Sequence, residues 1–432
     1  MQIAIMTDLH LNKQAYKSVM SRNDSLLPFR IVDFMNAFSY MVDECVNKIK
    51  PDLVVIGGDV YDTDTPNISV RKFFNDQISK LLKAKIPLII LTGNHDINRK
   101  NHALQDLQEL KLKTVLVIDK PTITVYKDTQ LFLFPYSLEV EQQKIAIKDE
   151  FNNFVQEIHA KKDGKPSIFF GHFGVRGAAI NEYSEDVDID VNEDEITNTT
   201  TTAVVKKDYK NTNKDDIDCD DLDSIGADYV ILGDYHKHQT LNTKKCIAMY
   251  AGSIEKTTFS EISQKKGFVV YNSDAESKGK MGKCSFVEYP NCRPMLELKG
   301  NFIDFKAAFK KIDYSKYSEA IVKLKFIGTK AEDADLSAGL ESFKKEIREK
   351  INPVHIDLVK FKVNDEEQIK EEQEATKLEN TIMESGHLSN ADVIAGAKEE
   401  ITGRVKDQQE AILTINLADE IYQETVQKMA GE

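Results

Sequence analysis

The stretch LVVIGGDVYD, Leu53 to Asp62, decides the fold: an unbroken apolar run, two glycines, then a loop carrying Asp59 and Asp62. Val54, Val55 and Ile56 are β-branched and suit a pleated strand, and a short run with no polar residue reads as a strand buried in the middle of a sheet. The same grammar recurs through the first 270 residues. Ile3 to Met6, Leu88 to Leu91, Ser167 to Phe170 and Tyr229 to Leu232 are apolar runs of this kind, and each stops at a polar cluster. Helical patterns at Phe29 to Lys50 and Val70 to Lys85 fill the gaps, and Pro51 and Pro87 punctuate the return to the sheet. The alternation predicts an α/β layered fold. Ligand sites in such sheets lie just beyond the carboxyl ends of the strands, where the polar clusters stand.

A chain of 432 residues exceeds what one hydrophobic core serves, so a main domain with one or two smaller units is expected. Hydrophobic residues at 41% and charged residues at 30% fit a globular protein. The longest apolar runs, such as Ile86 to Thr92, are too short to cross a bilayer, so no membrane span is expected. The N-terminus MQIAIMTDLH reads directly as a buried strand, without the features of a signal peptide, and the expected compartment is the cytoplasm. Cys45, Cys219, Cys246, Cys284 and Cys292 are odd in number, widely spaced and free of any C-x-x-C pair, so they read as reduced and structural. A net charge of −14 argues against a generally basic nucleic-acid coat protein. Much of that charge lies between residues 181 and 221, where EDVDIDVNEDE, TNTTTT and DDIDCDD lack apolar periodicity and read as a mobile insertion.

From about Leu296 the pattern changes to strand, helix, strand, helix, strand, with Ala320 to Phe326 and His355 to Phe361 as the clearest strands. This predicts a compact α+β unit. After Val363 the chain is rich in Glu, Gln and Lys, and two helical segments follow, Ser389 to Ile401 and Arg404 to Met429. Leu413, Leu417 and Ile421 form one apolar stripe on the last helix, which either packs on its own domain or docks a partner's helix pair. The predicted domains are residues 1–275 with the insertion at 181–221, the α+β unit at 290–364, and a helical partner-binding region at 365–432.

Five motifs carry the chemistry: Asp8-Leu9-His10, Gly58-Asp59-Val60-Tyr61-Asp62, Gly93-Asn94-His95-Asp96, Gly171-His172, and Gly233-Asp234-Tyr235-His236-Lys237-His238. Each offers carboxylate, amide or imidazole groups at the end of a predicted strand. In extended backbone Asp8 and His10 point to one face and grip one ion together. Glycines before Asp59, Asn94, His172 and Asp234 let the chain turn tightly. A shared carboxylate is the natural bridge between two cations roughly 3.5 Å apart, a clamp for the attacking and leaving oxygens of a displacement at phosphorus, and Asp59 is the best candidate for it. Any one motif is weak; five in order, each after a strand, point to one site.

The order D-x-H, G-D-x-x-D, G-N-H-D, G-H and G-x-x-H resembles the calcineurin-like metallophosphoesterases. Within them, GGDVYDTDTP, LTGNHD, YAGSIEKTTFSE and KGF resemble the SbcD-like DNA-repair nucleases, a group that includes meiotic-recombination nucleases and phage recombination endonuclease subunits. The resemblance covers residues 1–270 by motif and the remainder by general layout. It implies a layered β-sandwich flanked by helices, with a small α+β cap domain and C-terminal helices. It also implies two divalent metals: one held by Asp8, His10, Asp59 and His236, the other by Asp59, Asn94, His172 and Asp234. Manganese or magnesium suits these hard donors. The group's usual last motif is G-H-x-H, and Asp234 stands where its first histidine is expected. Two registers are therefore open, Asp234 with His236 or His236 with His238; the first keeps the Gly233 turn in place. His95 matches the family's catalytic histidine, which assists departure of the leaving oxygen. Asp62 or Asp96 would orient it, and the G-D-x-x-D spacing makes Asp62 the better candidate, its carboxylate reaching toward His95. The attacking group would be a water activated by the metals, with no covalent enzyme intermediate.

The metal site alone specifies phosphoester hydrolysis. The segment after the last motif, the extra α+β unit and the C-terminal helices favour DNA as substrate. The resemblance implies a homodimer working with a coiled-coil ATPase subunit bound through the C-terminal helices. Arg22, Arg99, Lys100 and Arg176 are candidate phosphate contacts. The rival readings are a stand-alone phosphatase or cyclic-nucleotide phosphodiesterase, and a non-catalytic scaffold for DNA ends.

Overall fold

The structure is a computed structural model that describes residues 1–362 except 14, 17–18, 22–26, 99, 180–216 and 278–279. The predicted C-terminal helices, Arg22, Arg99 and most of the acidic insertion lie outside the described residues.

Fifteen strands are described: β1 (Gln2–Met6), β2 (Leu53–Gly57), β3 (Leu88–Leu91), β4 (Val115–Ile118), β5 (Thr122–Tyr126), β6 (Thr129–Phe134), β7 (Ser167–His172), β8 (Tyr229–Gly233), β9 (Gln239–Thr240), β10 (Ile247–Tyr250), β11 (Gly267–Ser277), β12 (Lys280–Glu288), β13 (Met295–Gly300), β14 (Ile321–Gly328) and β15 (His355–Lys362). They form two six-stranded sheets, in the orders β12-β11-β1-β2-β3-β4 and β5-β6-β7-β8-β10-β9, and a three-stranded sheet in the order β13-β14-β15. β1 to β4 run parallel, with β11 and β12 added antiparallel at one side. In the second sheet β6, β7, β8 and β10 are parallel.

Side-chain alternation explains why the two large sheets stack. Ile3 and Ile5 of β1, Leu53 and Val55 of β2, and Ile89 and Leu91 of β3 share a buried cluster with Leu131, Leu133, Ile168, Phe170, Tyr229 and Ile231 of the second sheet. The intervening residues Ala4, Met6, Val54, Ile56, Leu88 and Ile90 face the opposite way, onto helices α1 (Phe29–Glu44) and α2 (Ile68–Lys83). Phe132, Phe134, Phe169 and Val230 do the same against the helix Ile147–Lys161. The chain is thus an α/β sandwich of two sheets flanked by helices. Strands covered on both faces explain the apolar runs of the sequence, and each fully buried Val, Leu, Ile or Phe contributes ~1.5–3 kcal/mol.

The predicted helix Phe29 to Lys50 is α-helical only to Glu44; a π-helical turn, Cys45–Ile49, follows and stops at Lys50, whose φ is 50°. Pro51 then permits no helical continuation. The acidic run at 181–221 also resolves differently at its end. Ile217 is buried in the second sheet's helix-side core, and Asp218 caps the helix Cys219–Ser224 by accepting from the amides of Asp220 and Asp221. Acidic residues there serve a helix N-terminus.

By contacts the described residues divide into a unit drawn from Met1–Lys299, Asp304–Lys325 and Leu340–Val359, and a second drawn from Gly300–Ile303, Phe326–Gly339 and the residues from Lys360 to Lys362. In the first, Phe29, Phe259, Met295 and Ile321 share a buried cluster, and Arg293 Nε lies 3.1 Å from both carboxylate oxygens of the buried Asp33. In the second, Glu332 accepts from the Thr329 amide at 2.8 Å and from Asn301 Nδ2 at 2.9 Å, at the start of the helix Lys330–Ile351. Among the described residues no helix is long and apolar enough to cross a membrane.

Candidate metal centre

The turns after β1, β2, β3 and β8 and the end of β7 meet at one place, at the carboxyl ends of parallel strands from both sheets. Asp8 and His10 do not reach it in extended backbone as expected. Their φ values are 53° and 40°, because β1 ends at Met6 and the following turn is tied to the turn after β2. The amides of Asp8 and His10 donate to the carbonyls of Gly58 and Asp59 at 3.1 and 3.0 Å. Asp59 and Asp234 are also left-handed, with φ of 51° and 96°. Such conformations cost ~1–3 kcal/mol each and persist where the surroundings over-determine them. Two glycines give the room. A Cβ on Gly58 would stand 2.2 Å from His172 Nδ1, and one on Gly93 would stand 2.1 Å from Asp59 Oδ1.

Asp59 is at the centre. Its Oδ2 lies 3.6 Å from His10 Nε2, and its Oδ1 lies 3.3 Å from His172 Nε2 and accepts the His95 amide at 3.0 Å. On one side, donor atoms of Asp8, His10 and His236 all lie within 4.8 Å of one another, as do those of His10, Asp59 and His95. On the other, Asp8, Asp59 and His172 form a third such group, and Asn94 Oδ1 lies 3.1 Å from His172 Nε2. His10, His172 and His236 share one arrangement: Nδ1 faces outward and Nε2 faces the centre. His172 Nδ1 donates to the Gly57 carbonyl at 2.9 Å, His10 Nδ1 stands 3.1 Å from Asp62 Oδ1, and His236 Nδ1 stands 3.0 Å from Thr257 Oγ1 and Glu261 Oε1. Outer partners of this kind fix the tautomer and aim the other nitrogen at a metal.

The site fits cations. Asp8 Oδ2 is buried with no hydrogen-bond partner, and the Nε2 atoms of His10 and His236 face each other at 3.0 Å. Carboxylate, imidazole and amide donors with no thiolate suit divalent cations. Burial opposes charge on His172, but the Asp59 carboxylate outweighs it and pushes the imidazole pKa up to about 10. Burial likewise works against the Asp59 carboxylate, and His172 and His10 nevertheless hold it well below the usual range. Burial lowers His10 despite Asp62 and Asp59 beside it.

His95 is exposed at the edge of this cluster, its ring 5.0 Å from that of His10. The Asp62 carboxylate, expected to reach it, is turned instead to His10 Nδ1 and to Lys13 Nζ, 3.2 Å away. It is the main-chain carbonyl of Asp62 that meets His95 Nδ1, at 3.2 Å. Sequence spacing locates Asp62 beside His95 without revealing which of its oxygens faces the ring. Asp96, the other candidate, is buried and accepts the amides of Val60, Tyr61 and Gly93, so it locks two loops together. Burial and the neighbouring Asp59 push its pKa up to about 7.

In the last motif the Asp234 amide donates to Asp8 Oδ1 at 3.0 Å, and its carboxylate helps raise His172 but lies outside the three compact donor groups. His238 is turned elsewhere: Nδ1 donates to the Tyr250 carbonyl at 2.9 Å and the ring stacks on Phe286 at 4.3 Å. Of the basic candidates described, Lys100 is exposed and Arg176 pairs with Asp218 at 2.9 Å. Sequence reasoning does not single out Lys13, Thr257, Glu261 or Lys266. The last three lie in the TTFSE and KGF segments, whose signal is the resemblance they carry and their position after the final motif.

A family profile described as calcineurin-like phosphoesterase matches residues 1–238. The SbcD component of the nuclease SbcCD from Staphylococcus epidermidis is 26% identical over 273 residues, covering 60% of this chain and 64% of that protein. The protein of the same name from Staphylococcus saprophyticus is 26% identical over 286 residues, covering 62% and 66% respectively. The chain thus spans just under two thirds of the length of each of these relatives. Among solved structures, a dimetal phosphatase from Danio rerio overlays with a TM-score of 0.36 at 10% identity, covering 62% of this chain and 91% of that one. A putative 5'-nucleotidase from Staphylococcus aureus also gives 0.36, at 12% identity, covering 66% and 52%.

Proposed function

Because the chain belongs to the calcineurin-like phosphoesterase family, we propose that it is a two-metal nuclease that hydrolyses phosphodiester bonds at DNA ends. The observation that carries the two-metal reading is the position of Asp59, whose two carboxylate oxygens face His10 on one side and His172 on the other. In this reading Asp8, His10, Asp59 and His236 hold one cation, and Asp59, Asn94, His172 and Asp234 the other, with manganese preferred. Bound there, the cations would supply charge against the phosphate oxygens and lower the pKa of an attacking water.

The chain's own residues do the rest. The Asp62 carbonyl can only accept, so His95 Nδ1 carries a proton and Nε2 is left for the substrate. As imidazolium, His95 would deliver the Nε2 proton to the departing oxygen while the attacking water, having given one proton to solvent, forms the new P–O bond and the old one breaks. Asp62 acts through His10, which it orients. The alternative register, His236 with His238, is disfavoured by the packing of His238 on Phe286.

DNA as substrate rests on the likeness to the SbcCD nucleases and on the YAGSIEKTTFSE and KGF segments. The division of labour assigned to the chain is hydrolysis by residues 1–275, DNA capping by 290–364, and binding of a coiled-coil ATPase subunit by 365–432, in a homodimer. The test is an assay of the purified chain on linear and circular DNA with manganese and then with chelator. Metal-dependent cleavage stimulated by the ATPase subunit is expected. Turnover of small phosphomonoesters with no action on DNA of any length would replace this reading with that of a phosphatase.

A further inference from the structure

The strap between β10 and β11 holds a buried ion pair behind the metal centre. Glu261 and Lys266 both have fully buried side chains, 2.7 Å apart. Every polar atom of the pair is used. Glu261 Oε1 faces His236 Nδ1 at 3.0 Å and accepts from Thr257 Oγ1, while Oε2 accepts the Thr257 amide at 2.9 Å. Lys266 Nζ donates to the His236 carbonyl at 3.0 Å, to Ser253 Oγ at 2.8 Å and to Gln264 Oε1 at 3.0 Å. His236 is therefore gripped twice, at its ring by Glu261 and at its backbone by Lys266. The Ser253 amide also donates to the His236 carbonyl, at 3.0 Å.

A buried ion pair is a poor way to gain stability, since desolvation offsets most of the attraction and an apolar pair of like volume often serves as well. Its placement accounts for it better. Lys266 directly precedes β11, which pairs with β1, the strand that leads to Asp8 and His10. His236 follows β8, in the other sheet. The strap thus fixes a donor from the second sheet relative to donors from the first.

We propose that Glu261 and Lys266 are positioning residues that aim His236 Nε2 at one of the two cation positions and hold it in register with His10. The proposal rests on the two-metal reading of the site. It predicts a defect at one cation position and not at both, because His172, Asn94 and Asp234 do not depend on the strap.

The test is manganese binding by calorimetry and electron paramagnetic resonance on the full chain, parent against two variants, with melting of the metal-free proteins alongside. Glu261→Gln removes the charge but leaves Lys266 buried without its partner, and a folding failure there is foreseeable. The double variant Glu261→Leu with Lys266→Met removes both charges and keeps the volume. The expected result is a double variant that still folds, melting below the parent without metal because the Thr257 amide loses its acceptor, and that binds one manganese normally and the second about 10- to 100-fold more weakly. Its spectrum at limiting manganese should be that of an isolated ion where the parent gives a coupled pair. Two manganese ions bound with parental affinity, or equal weakening at both positions, would overturn the proposal. A parent that binds no manganese at all would instead remove the two-metal reading.

Discussion

His10 Nε2 and His236 Nε2 lie 3.0 Å apart, although the two residues come from different sheets and are 226 positions apart in the chain. With Nδ1 of His10 facing Asp62 and Nδ1 of His236 facing Glu261, the two Nε2 atoms are turned to each other at a point where a cation could take both. Manganese should therefore stabilise the folded chain. At free metal about 100 times the dissociation constant, mass action gives ~2.7 kcal/mol per site. Thermal melting with manganese and then with excess chelator measures it; a melting temperature indifferent to both would contradict the metal reading.

His95 differs from the other histidines of the site in being exposed and in meeting Asp62 through a carbonyl. Its role in proton delivery predicts that His95→Ala lowers turnover by about 10²- to 10⁴-fold while two manganese ions still bind. Metal stoichiometry and turnover are measured on the same preparation. Equal activity of variant and parent would remove His95 from the mechanism.

Gly93 is needed for a steric reason. A methyl group there would stand 2.1 Å from Asp59 Oδ1 and 2.2 Å from the Asp59 backbone nitrogen, and the latter cannot move without moving the turn after β2. Gly93→Ala should abolish binding of both cations, since Asp59 is the shared donor. Parental manganese stoichiometry in this variant would show that Asp59 is not the bridge.

The strands that carry the site could be read from sequence because strands covered on both faces admit few polar residues, so β1, β2, β3, β7 and β8 appear as apolar runs with polar residues only at their ends. The turn residues were legible by type and order. Their conformation was not: the left-handed backbone of Asp8 and His10 follows from hydrogen bonds to Gly58 and Asp59, which no local pattern encodes. Nor was the side chain that Asp62 would choose, since His10 and His95 both lie within its reach. The Glu261–Lys266 pair was hidden for a related reason. Charged residues in a polar segment read as surface, and only the fold shows them buried.

Asp234 and His238 compete in sequence for one role, and their surroundings separate them. The Asp234 amide is tied to Asp8, whereas the His238 ring stacks on Phe286. Asp234→Ala is expected to lower manganese stoichiometry below two, and His238→Ala to keep it at two while reducing stability. The opposite pattern, read by calorimetry, would put His238 in the site.

Asp223 gives a prediction about acid stability away from the metal centre. Asp223 is 6% exposed, and its carboxylate accepts the amides of Lys244 and Lys245, both at 2.7 Å, and of Cys246 at 3.1 Å. Burial alone would raise its pKa, but these three donors outweigh it and leave the pKa below the ordinary carboxylate value. A depressed folded-state pKa means stability that is present above the unfolded value of about 3.9 and lost as the pH falls through the folded value. Asp223→Asn turns an amide donor toward one of those backbone N–H groups and should cost ~1–3 kcal/mol near neutral pH. The difference in melting temperature between parent and variant should therefore be largest above about pH 5 and shrink as the pH drops below about 4, because the parent's carboxyl then becomes neutral as well. A difference that stayed constant across that range would mean the loss comes from packing and not from the charge.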